Sequence, residues 1–291
     1  MIITKLNGGL GNQMFQYAIG RKIALKYNTA LVLDTTSFEM YKLRKYNLDQ
    51  FNFEDQIASN YELVLFGLKE ERNPVKKAYY QIAKKLFQPV LIHEKQFNFD
   101  SDVFKNTKKN TYLDGYWQSE KYFSDIRSVL LDDLTIKKPL KNKNLDFYNH
   151  ISSVNSVSLH IRRGDYVSNE KTLNVHGICE LNYYYKAIEL ISKKSGNPVL
   201  FIFSDDMQWV KENLKSSFET IFVDVNNADT SYEDLRLMSL CRHNIIANSS
   251  FSWWGAWLNN NNDKIVIAPK KWLNDLSIDT KDVIPGSWIK M

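Results

Sequence analysis

Short apolar runs alternate with stretches of helical periodicity along the chain, and the alternation is clearest after residue 150. Short apolar runs favour buried strands, whereas apolar positions three or four residues apart favour helices. Strand–helix alternation of this kind is typical of a doubly wound parallel sheet, whose ligands lie at the carboxyl ends of the strands. The pattern predicts strands at 157–161, 199–203, 220–225, 244–247 and 264–268, and helices at 181–193, 207–214, 232–241 and 251–258.

The first 34 residues show the same alternation, with a glycine-rich turn between the first strand and the first helix. A strand that feeds a helix and then a second strand is the repeating unit of a parallel α/β sheet. Between 35 and 150 the pattern is less regular. The elements predicted over residues 1–150 are strands at 2–6, 31–34 and 111–114, and helices at 13–27, 61–68 and 79–87.

A polar, basic segment at 137–144 separates the two halves and contains Pro139. Such composition is typical of an exposed connection, because it offers few side chains to a core. We therefore predict two domains, 1–145 and 146–291.

Composition excludes several classes of protein. The chain has 291 residues, 44% hydrophobic and 24% charged, which is ordinary for a globular protein. No apolar run approaches the roughly 18 residues of a membrane span, and the first residues lack the pattern of a signal peptide. Cys179 and Cys241 are too few for a disulfide framework or a four-cysteine zinc site. We expect a soluble protein of a reducing compartment, and we identify no metal site.

The net charge of +5 is mild for a chain of this length. It does not support strong nucleic-acid binding, but it suits a phosphate-bearing ligand or an anionic membrane surface. The segment 76–87 is basic and amphipathic, and it is either a solvated helix face or a contact with an anionic membrane.

Two arginines, Arg162 and Arg163, follow the predicted strand at 157–161 and precede Gly164. Guanidinium groups bind phosphate oxygens in pairs of hydrogen bonds, so at a strand end they would meet a nucleotide diphosphate. The alternative is that they are held in salt bridges, with Asp165 or on a solvated face.

A second anion site is predicted where Asn248-Ser249-Ser250-Phe251 leaves a strand and opens a helix. Free backbone N–H groups at a helix N-terminus favour an anion, although serine there is also a common helix cap. The two sites support each other, because one diphosphate could touch both.

Two further turns carry candidate ligand groups. The turn Gly8-Gly9-Leu10-Gly11-Asn12-Gln13 matches neither the Walker phosphate loop nor the dinucleotide pattern, but it presents Asn12 and Gln13 as donors if two domains face each other. Ser204-Asp205-Asp206 follows a buried strand and could contact a guanine edge, a ribose or a metal, or cap the next helix.

Together these segments resemble the α-1,2-fucosyltransferases of glycosyltransferase family 11, especially the bacterial members. The resemblance runs in order over most of the chain, although 35–95 contributes nothing to it. Its matching blocks are Gly8-Gly9-Leu10-Gly11-Asn12-Gln13-Met14-Phe15-Gln16-Tyr17-Ala18, Gly115-Tyr116-Trp117-Gln118-Ser119-Glu120-Lys121-Tyr122-Phe123, His160-Ile161-Arg162-Arg163-Gly164-Asp165-Tyr166, Phe203-Ser204-Asp205-Asp206 with Trp209, and Ile246-Ala247-Asn248-Ser249-Ser250-Phe251-Ser252-Trp253-Trp254-Gly255-Ala256-Trp257-Leu258.

The resemblance implies a GT-B-like α/β enzyme with two facing, doubly wound, Rossmann-like domains. Domain 1–145 would hold the acceptor and domain 146–291 the donor, GDP-β-L-fucose. Fucose would pass with inversion to the 2-hydroxyl of a terminal β-galactoside, free or lipid-linked, in surface-glycan or O-antigen synthesis. No cofactor or metal would be required, and the enzyme would be cytoplasmic, with at most peripheral membrane contact at the inner face of the plasma membrane.

By the same resemblance, Arg162 and Arg163 would hold the diphosphate as negative charge develops on the leaving GDP. Asp165 is nominated as the base for the acceptor hydroxyl, although it could instead brace Arg162, and a Glu or His of the first half could be the base. The remaining donor-binding candidates are His160, Asn12, Gly11, Asp205, Asp206, Ser249, Ser250 and Phe251.

Three alternatives stay open at the level of sequence. The first is a GDP-sugar transferase that uses another donor sugar or acceptor hydroxyl. The second is a non-catalytic sugar- or nucleotide-binding module, which has no need of a diphosphate clamp. The third is a nicotinamide oxidoreductase, against which the missing Gly-x-Gly-x-x-Gly pattern counts.

Overall fold

The computed structural model describes residues 1–40, 44–164 and 170–291. The chain divides into two compact units, an N-terminal unit, Met1–Thr135, and a C-terminal unit, Ile136–Met291. The division precedes the boundary predicted at 145/146, because residues from Asn142 onward form a helix that packs within the C-terminal unit. The end of the basic segment 137–144 is therefore helical rather than an open connection.

The N-terminal unit is built around one parallel sheet in the order β2-β1-β4-β3. Ile2 on the central strand β1 lies opposite Leu31 on one neighbour and Thr111 on the other. The elements are β1 (Ile2–Lys5), α1 (Leu10–Lys26), β2 (Leu31–Asp34), α2 (Ser37–Met40), α3 (Asn60–Leu65), α4 (Pro74–Phe87), β3 (Val90–His93), α5 (Asp102–Asn106), β4 (Thr111–Asp114) and α6 (Arg127–Asp133).

Local capping sets where the helices of this unit begin. The side chain of Asn73 accepts hydrogen bonds from the backbone N–H groups of Val75 and Lys76, and Pro74 occupies the first helical position. Helix α4 therefore begins at Pro74, whereas the apolar periodicity predicts its start at residue 79. The strand β3 was not predicted, because it is a short edge strand whose Leu91 is exposed.

The C-terminal unit contains a second parallel sheet, in the order β10-β9-β8-β5-β6-β7. The chain moves outward from β5 through β6 to β7 and then returns to the other side of β5 at β8, so the strand order reverses between β5 and β8. The elements are α7 (Asn142–Ser153), β5 (Ser156–Ile161), α8 (Glu170–His176), α9 (Leu181–Ser195), β6 (Val199–Ser204), α10 (Met207–Asn213), β7 (Thr220–Phe222), α11 (Ser231–Leu240), β8 (His243–Ile245), α12 (Ser250–Leu258), β9 (Val266–Ala268) and β10 (Ile289–Lys290).

Both faces of this second sheet are buried. Along β6, Leu200 and Ile202 belong to one apolar cluster, whereas Phe201 and Phe203 belong to another. Successive side chains of a strand point to opposite faces, so one short strand supplies both clusters. Burial on two faces explains why the strands read as continuous apolar runs in the sequence.

The predicted α/β class with doubly wound parallel sheets is confirmed in each unit. The strands at 31–34 and 111–114 have the predicted bounds, and the other predicted elements differ at their ends by a few residues. Over the described ranges, none of the helices is long and apolar enough to cross a bilayer.

Candidate functional site

The carboxyl ends of the neighbouring strands β5 and β6 bring Arg162 and Asp205 together. Nη1 of Arg162 lies 2.6 Å from Oδ2 of Asp205, and the backbone N–H of Arg163 donates to Oδ1 of the same carboxylate at 2.9 Å. A Cβ atom on Gly164 would lie only 2.9 Å from Cγ of Asp205. A side chain at this position would have to displace the Asp205 carboxylate, because the backbone passes against it.

The Arg163 side chain is held by two residues that follow β6. Its Nε lies 3.4 Å from Oδ2 of Asp206, and its guanidinium carbon lies 3.6 Å from the centroid of the Trp209 ring. A flat guanidinium on an indole face gains a cation–π contact as well as a fixed orientation. The sequence showed the aspartates and Trp209 but did not reveal that they support the two arginines.

Asp206 also performs the capping role left open by the sequence. Its Oδ1 accepts a hydrogen bond from the backbone N–H of Trp209 at 3.3 Å, while Ser204 Oγ accepts from the backbone N–H of Asp206 at 3.0 Å. The short helix α10 and the Arg163 side chain thus depend on the same carboxylate. Among the described residues, the arginines form salt bridges with Asp205 and Asp206 after β6, partners that the sequence alternatives did not include. Asp165, the partner named there, lies outside the described residues.

His160 lies at the end of β5 on the opposite face of the sheet from Ile161. Its ring is 5.8 Å from the Phe251 ring, and the residue is only 5% exposed. Burial lowers the pKa of the imidazole to about 4, so the ring is neutral near pH 7. Its Nδ1 has no hydrogen-bond partner among the described residues, although it is buried. A buried nitrogen in this condition can serve a ligand.

The start of α12 differs from the capping expected of its serines. Ser249 occupies the N-cap position with extended backbone, but its side chain makes no capping hydrogen bond. The alternative interpretation, in which the Ser249 hydroxyl caps the helix, is therefore wrong. Ser250 begins the helix. Phe251 packs against the apolar cluster that contains Phe201 and Phe203 of β6. The N-terminus of α12 keeps the backbone N–H groups that favour an anion.

Asn248 belongs to one of the candidate segments, but the sequence alone indicated no role for it. Its Nδ2 donates to the backbone oxygens of His176 at 2.8 Å and of Gly177 and Trp272 at 3.3 Å each. The buried amide thereby ties the end of α8 and the segment after β9 to the turn before α12. The signal for this role was an asparagine inside a buried strand-to-helix turn.

The glycine-rich turn of the N-terminal unit is held together by buried amides. Gln13 is fully buried, and its Nε2 donates to the backbone oxygens of Gly8 and Lys45. The prediction that Gln13 offers a donor to a ligand is therefore wrong. Asn12 Oδ1 accepts from Nε2 of Gln118 at 2.9 Å, and Gly11 is buried in the first turn of α1.

Asp165, the nominated base, lies outside the described residues. Across the described ranges no group of three or more His, Cys, Asp or Glu side chains could hold a metal ion. Burial raises the pKa of the Cys179 thiol to about 11 and that of Cys241 further, so neither is a thiolate near pH 7.

Comparison with solved structures defines the class of fold. A crystal structure of the NodZ alpha-1,6-fucosyltransferase with GDP has a TM-score of 0.50 to this chain and covers 87% of it and 90% of that protein, at 13% identity. At this identity the likeness concerns the fold alone, an α/β fold of the GT-B type with parallel sheets.

The sequence then places the chain within that class. The model of Glycosyl transferase family 11 matches residues 1–291, and the chain belongs to this family of glycosyltransferases. An alpha-1,2-colitosyltransferase of Escherichia coli is 35% identical over 100% of this chain and 99% of its own length. The O-antigen biosynthesis glycosyltransferase WbnK of the same species is 36% identical over 98% and 99%.

A mammalian relative matches less of the chain. The galactoside 2-alpha-L-fucosyltransferase SEC1 of Bos taurus is 26% identical over 50% of this chain and 41% of its own length. Membership of a glycosyltransferase family makes the protein an enzyme. It sets aside both the oxidoreductase and the non-catalytic binding module.

Proposed function

We propose that this enzyme transfers L-fucose from GDP-β-L-fucose to the 2-hydroxyl of a terminal β-galactoside, with inversion, during synthesis of a bacterial surface glycan such as an O-antigen. The observation that carries the proposal is the pair Arg162 and Arg163, fixed by Asp205, Asp206 and Trp209 at the strand ends where the strand order reverses. Ligands of doubly wound sheets bind at such reversals.

The arginine pair suits a diphosphate leaving group. Each guanidinium carries five N–H donors in a rigid fork, and a salt bridge to Asp205 or Asp206 fixes its direction. As the bond between the sugar and the diphosphate breaks, negative charge grows on the departing GDP. Donors that are already oriented stabilise this charge without reorganisation. The first turn of α12, with Ser249 and Ser250, would hold the same phosphates.

The neutral His160 beside Phe251 would contact the nucleoside, since its buried Nδ1 has no partner among the residues described. Asp205 and Asp206 were also candidates for the guanosine, but they support the arginines, so we assign them to positioning. Asn12 and Gly11 are retained as candidates for the phosphate or the sugar.

Inversion in one displacement requires the acceptor oxygen to attack the anomeric carbon opposite the leaving GDP and to lose its proton to a base. Asp165 remains our nominee, with a Glu or His of the N-terminal unit as the alternative. Neither a metal nor another cofactor is part of the proposal. We propose that the enzyme works in the cytoplasm or at the inner face of the plasma membrane.

A second donor is favoured by one specific observation. The whole-length relative from E. coli is described as an alpha-1,2-colitosyltransferase. Colitose is the 3-deoxy form of L-fucose, so the two donors differ by one hydroxyl. A pocket that hydrogen-bonds this hydroxyl would reject the sugar lacking it, whereas an apolar pocket would discriminate weakly.

The test is GDP release from GDP-fucose and from GDP-colitose, each with and without lactose as the β-galactoside acceptor and with EDTA present. Acceptor-dependent release and an α-1,2 linkage in the product NMR spectrum would support the proposal for the donor used. A requirement for added metal would contradict its metal-independent part. No release from either donor, together with no thermal stabilisation by GDP, would refute the GDP-sugar proposal.

A further inference from the structure

Helix α4 carries a row of apolar side chains that the described residues of the N-terminal unit leave largely exposed. Val75, Tyr79, Ile82 and Leu86 are 78%, 59%, 65% and 83% exposed. At about 100° per residue these four positions fall within an arc of about 60° on the helix surface. Single exposed apolar residues are ordinary, but four in one row form a continuous stripe. We call these four residues the apolar stripe.

A different face of α4 holds the helix to its own unit. The Phe87 ring packs edge-on against Phe66 with centroids 5.3 Å apart, and the Tyr80 ring lies 5.4 Å from the Tyr61 ring. By helical geometry this packed face is about 120° away from the apolar stripe. The helix is therefore anchored on one side while Val75, Ile82 and Leu86 point elsewhere. Tyr79, at the edge of the stripe, also hydrogen-bonds Tyr61 through its hydroxyl.

Lysines surround the stripe and concentrate the charge of the protein. Helix α4 contains Lys76, Lys77, Lys84 and Lys85 and no acidic residue. These four charges account for most of the net +5 of the chain, so the remainder carries only +1. Lys76 and Lys85 lie about a quarter turn from the stripe on its two sides. From there their aliphatic stems can follow the stripe while the ammonium groups reach outward.

We propose that α4 docks on a bilayer surface rich in anionic lipid headgroups, with the apolar stripe entering the boundary between headgroups and acyl chains. Basic side chains beside a narrow apolar face are the pattern of helices that lie in that boundary. The charge favours an anionic surface over a second copy of this basic chain, whose α4 would bring four lysines against four lysines. At 14 residues, or about 21 Å, the helix lies along the surface rather than crossing it.

The experiment is co-sedimentation of the full chain with vesicles of phosphatidylcholine alone and of phosphatidylcholine mixed with phosphatidylglycerol. We expect binding to the mixed vesicles only, weakened at high salt because the headgroup charge is screened. The variant Ile82→Ser/Leu86→Ser should bind at least about tenfold more weakly, since it removes half of the stripe. Its matched control is Leu276→Ser, because Leu276 is 86% exposed in the other unit.

The charge is tested separately by Lys76→Gln/Lys85→Gln, for which we also expect a loss of about tenfold or more. The control is Lys193→Gln/Lys194→Gln, in the last turn of α9, which removes equal charge elsewhere. All four variants should melt near the wild-type temperature and release GDP with a soluble acceptor as the wild type does. These readouts separate membrane docking from the proposed sugar transfer, on which it does not depend.

Three results would overturn the proposal. One is equal binding to neutral and anionic vesicles, and another is unchanged binding of both α4 variants. The third is a combined result: the wild-type chain does not bind vesicles and sediments as a dimer, while the variant Ile82→Ser/Leu86→Ser sediments as a monomer. That outcome would assign the stripe to a second copy.

Discussion

Replacing Arg163 by lysine separates the geometry of this side chain from its charge. Lysine keeps one positive charge near Asp206 but loses the planar group that lies 3.6 Å from the Trp209 ring centroid. It also loses the fork that binds two phosphate oxygens at once. The substitution therefore tests whether orientation, rather than charge alone, supports transfer.

The cost to folding should be small. The stacked contact at this half-buried site is worth about 1 kcal/mol, and the salt bridge to Asp206 at 3.4 Å contributes at most about as much. For a chain of this size a loss of about 1 kcal/mol lowers the melting temperature by about 2–4 °C. The variant should remain folded at assay temperature.

The cost to catalysis should be larger. Loss of one oriented donor at a site of developing charge slows turnover by about 100- to 1,000-fold, or about 3–4 kcal/mol. The assay is steady-state GDP release with donor and acceptor, beside a thermal melt of the same preparation. The matched control is Arg242→Lys, an exposed arginine of the same unit, for which neither quantity should change.

A second variant locates the origin of the effect. Trp209→Leu keeps Arg163 but removes the ring beneath it, so we expect about a tenfold loss of turnover from a less well oriented guanidinium. Combined with Arg163→Lys, the two losses should not add, because both act on one contact. A folded Arg163→Lys enzyme with wild-type kcat/KM would refute the diphosphate clamp.

Three further predictions concern the C-terminal unit. Gly164→Ala should reduce turnover by about tenfold or more, because the added methyl displaces the Asp205 carboxylate; a wild-type rate would contradict this contact. Asn248→Ala should lower the free energy of unfolding by about 2–3 kcal/mol in urea, because it leaves buried carbonyls unpaired. Burial raises the pKa of the Asp234 carboxyl from 3.8 to about 7, although its Oδ1 accepts a hydrogen bond from Asn226. Between about pH 4 and pH 7 the folded state therefore keeps a proton that the unfolded state has lost. The free energy of unfolding should therefore fall as pH rises from about 4 to 7. Above pH 7 the free energy of unfolding of Asp234→Asn should exceed that of the wild type by about 2–4 kcal/mol, whereas below pH 4 the two should be equal. Parallel pH profiles of the melting temperature for the two proteins would contradict that pKa.

Much of the fold could be predicted because its signals are local. The strands β5 and β6 appear in the sequence as apolar runs, since both faces of each are buried, and the helices between them have clear periodicity. The edge strand β3 and the two-residue strand β10 gave no comparable signal. Their existence depends on a neighbour to pair with, and that neighbour is distant in the chain.

The candidate site was foreseen in part for the same reason. The arginines after β5, the aspartates after β6 and the serines at α12 are visible because each follows an element that the pattern reveals. The sequence erred where a polar side chain had two local uses. Gln13 was expected to offer a donor to a ligand, but it donates to the backbone oxygens of Gly8 in its own turn and of the distant Lys45. The alternative use of Ser249 as a cap of α12 is not realised.

The sequence by itself determined the α/β class, the order of most elements, the family and the segments that carry charge at strand ends. Only the tertiary structure decided that Arg162 pairs with Asp205 and that Arg163 lies on Trp209 beside Asp206. The partners are more than 40 residues apart, and they meet because β5 and β6 are parallel neighbours. Periodicity records how each segment buries itself, whereas strand order follows from which buried segments pack together. The pairing of charges at the sheet edge is a consequence of that order.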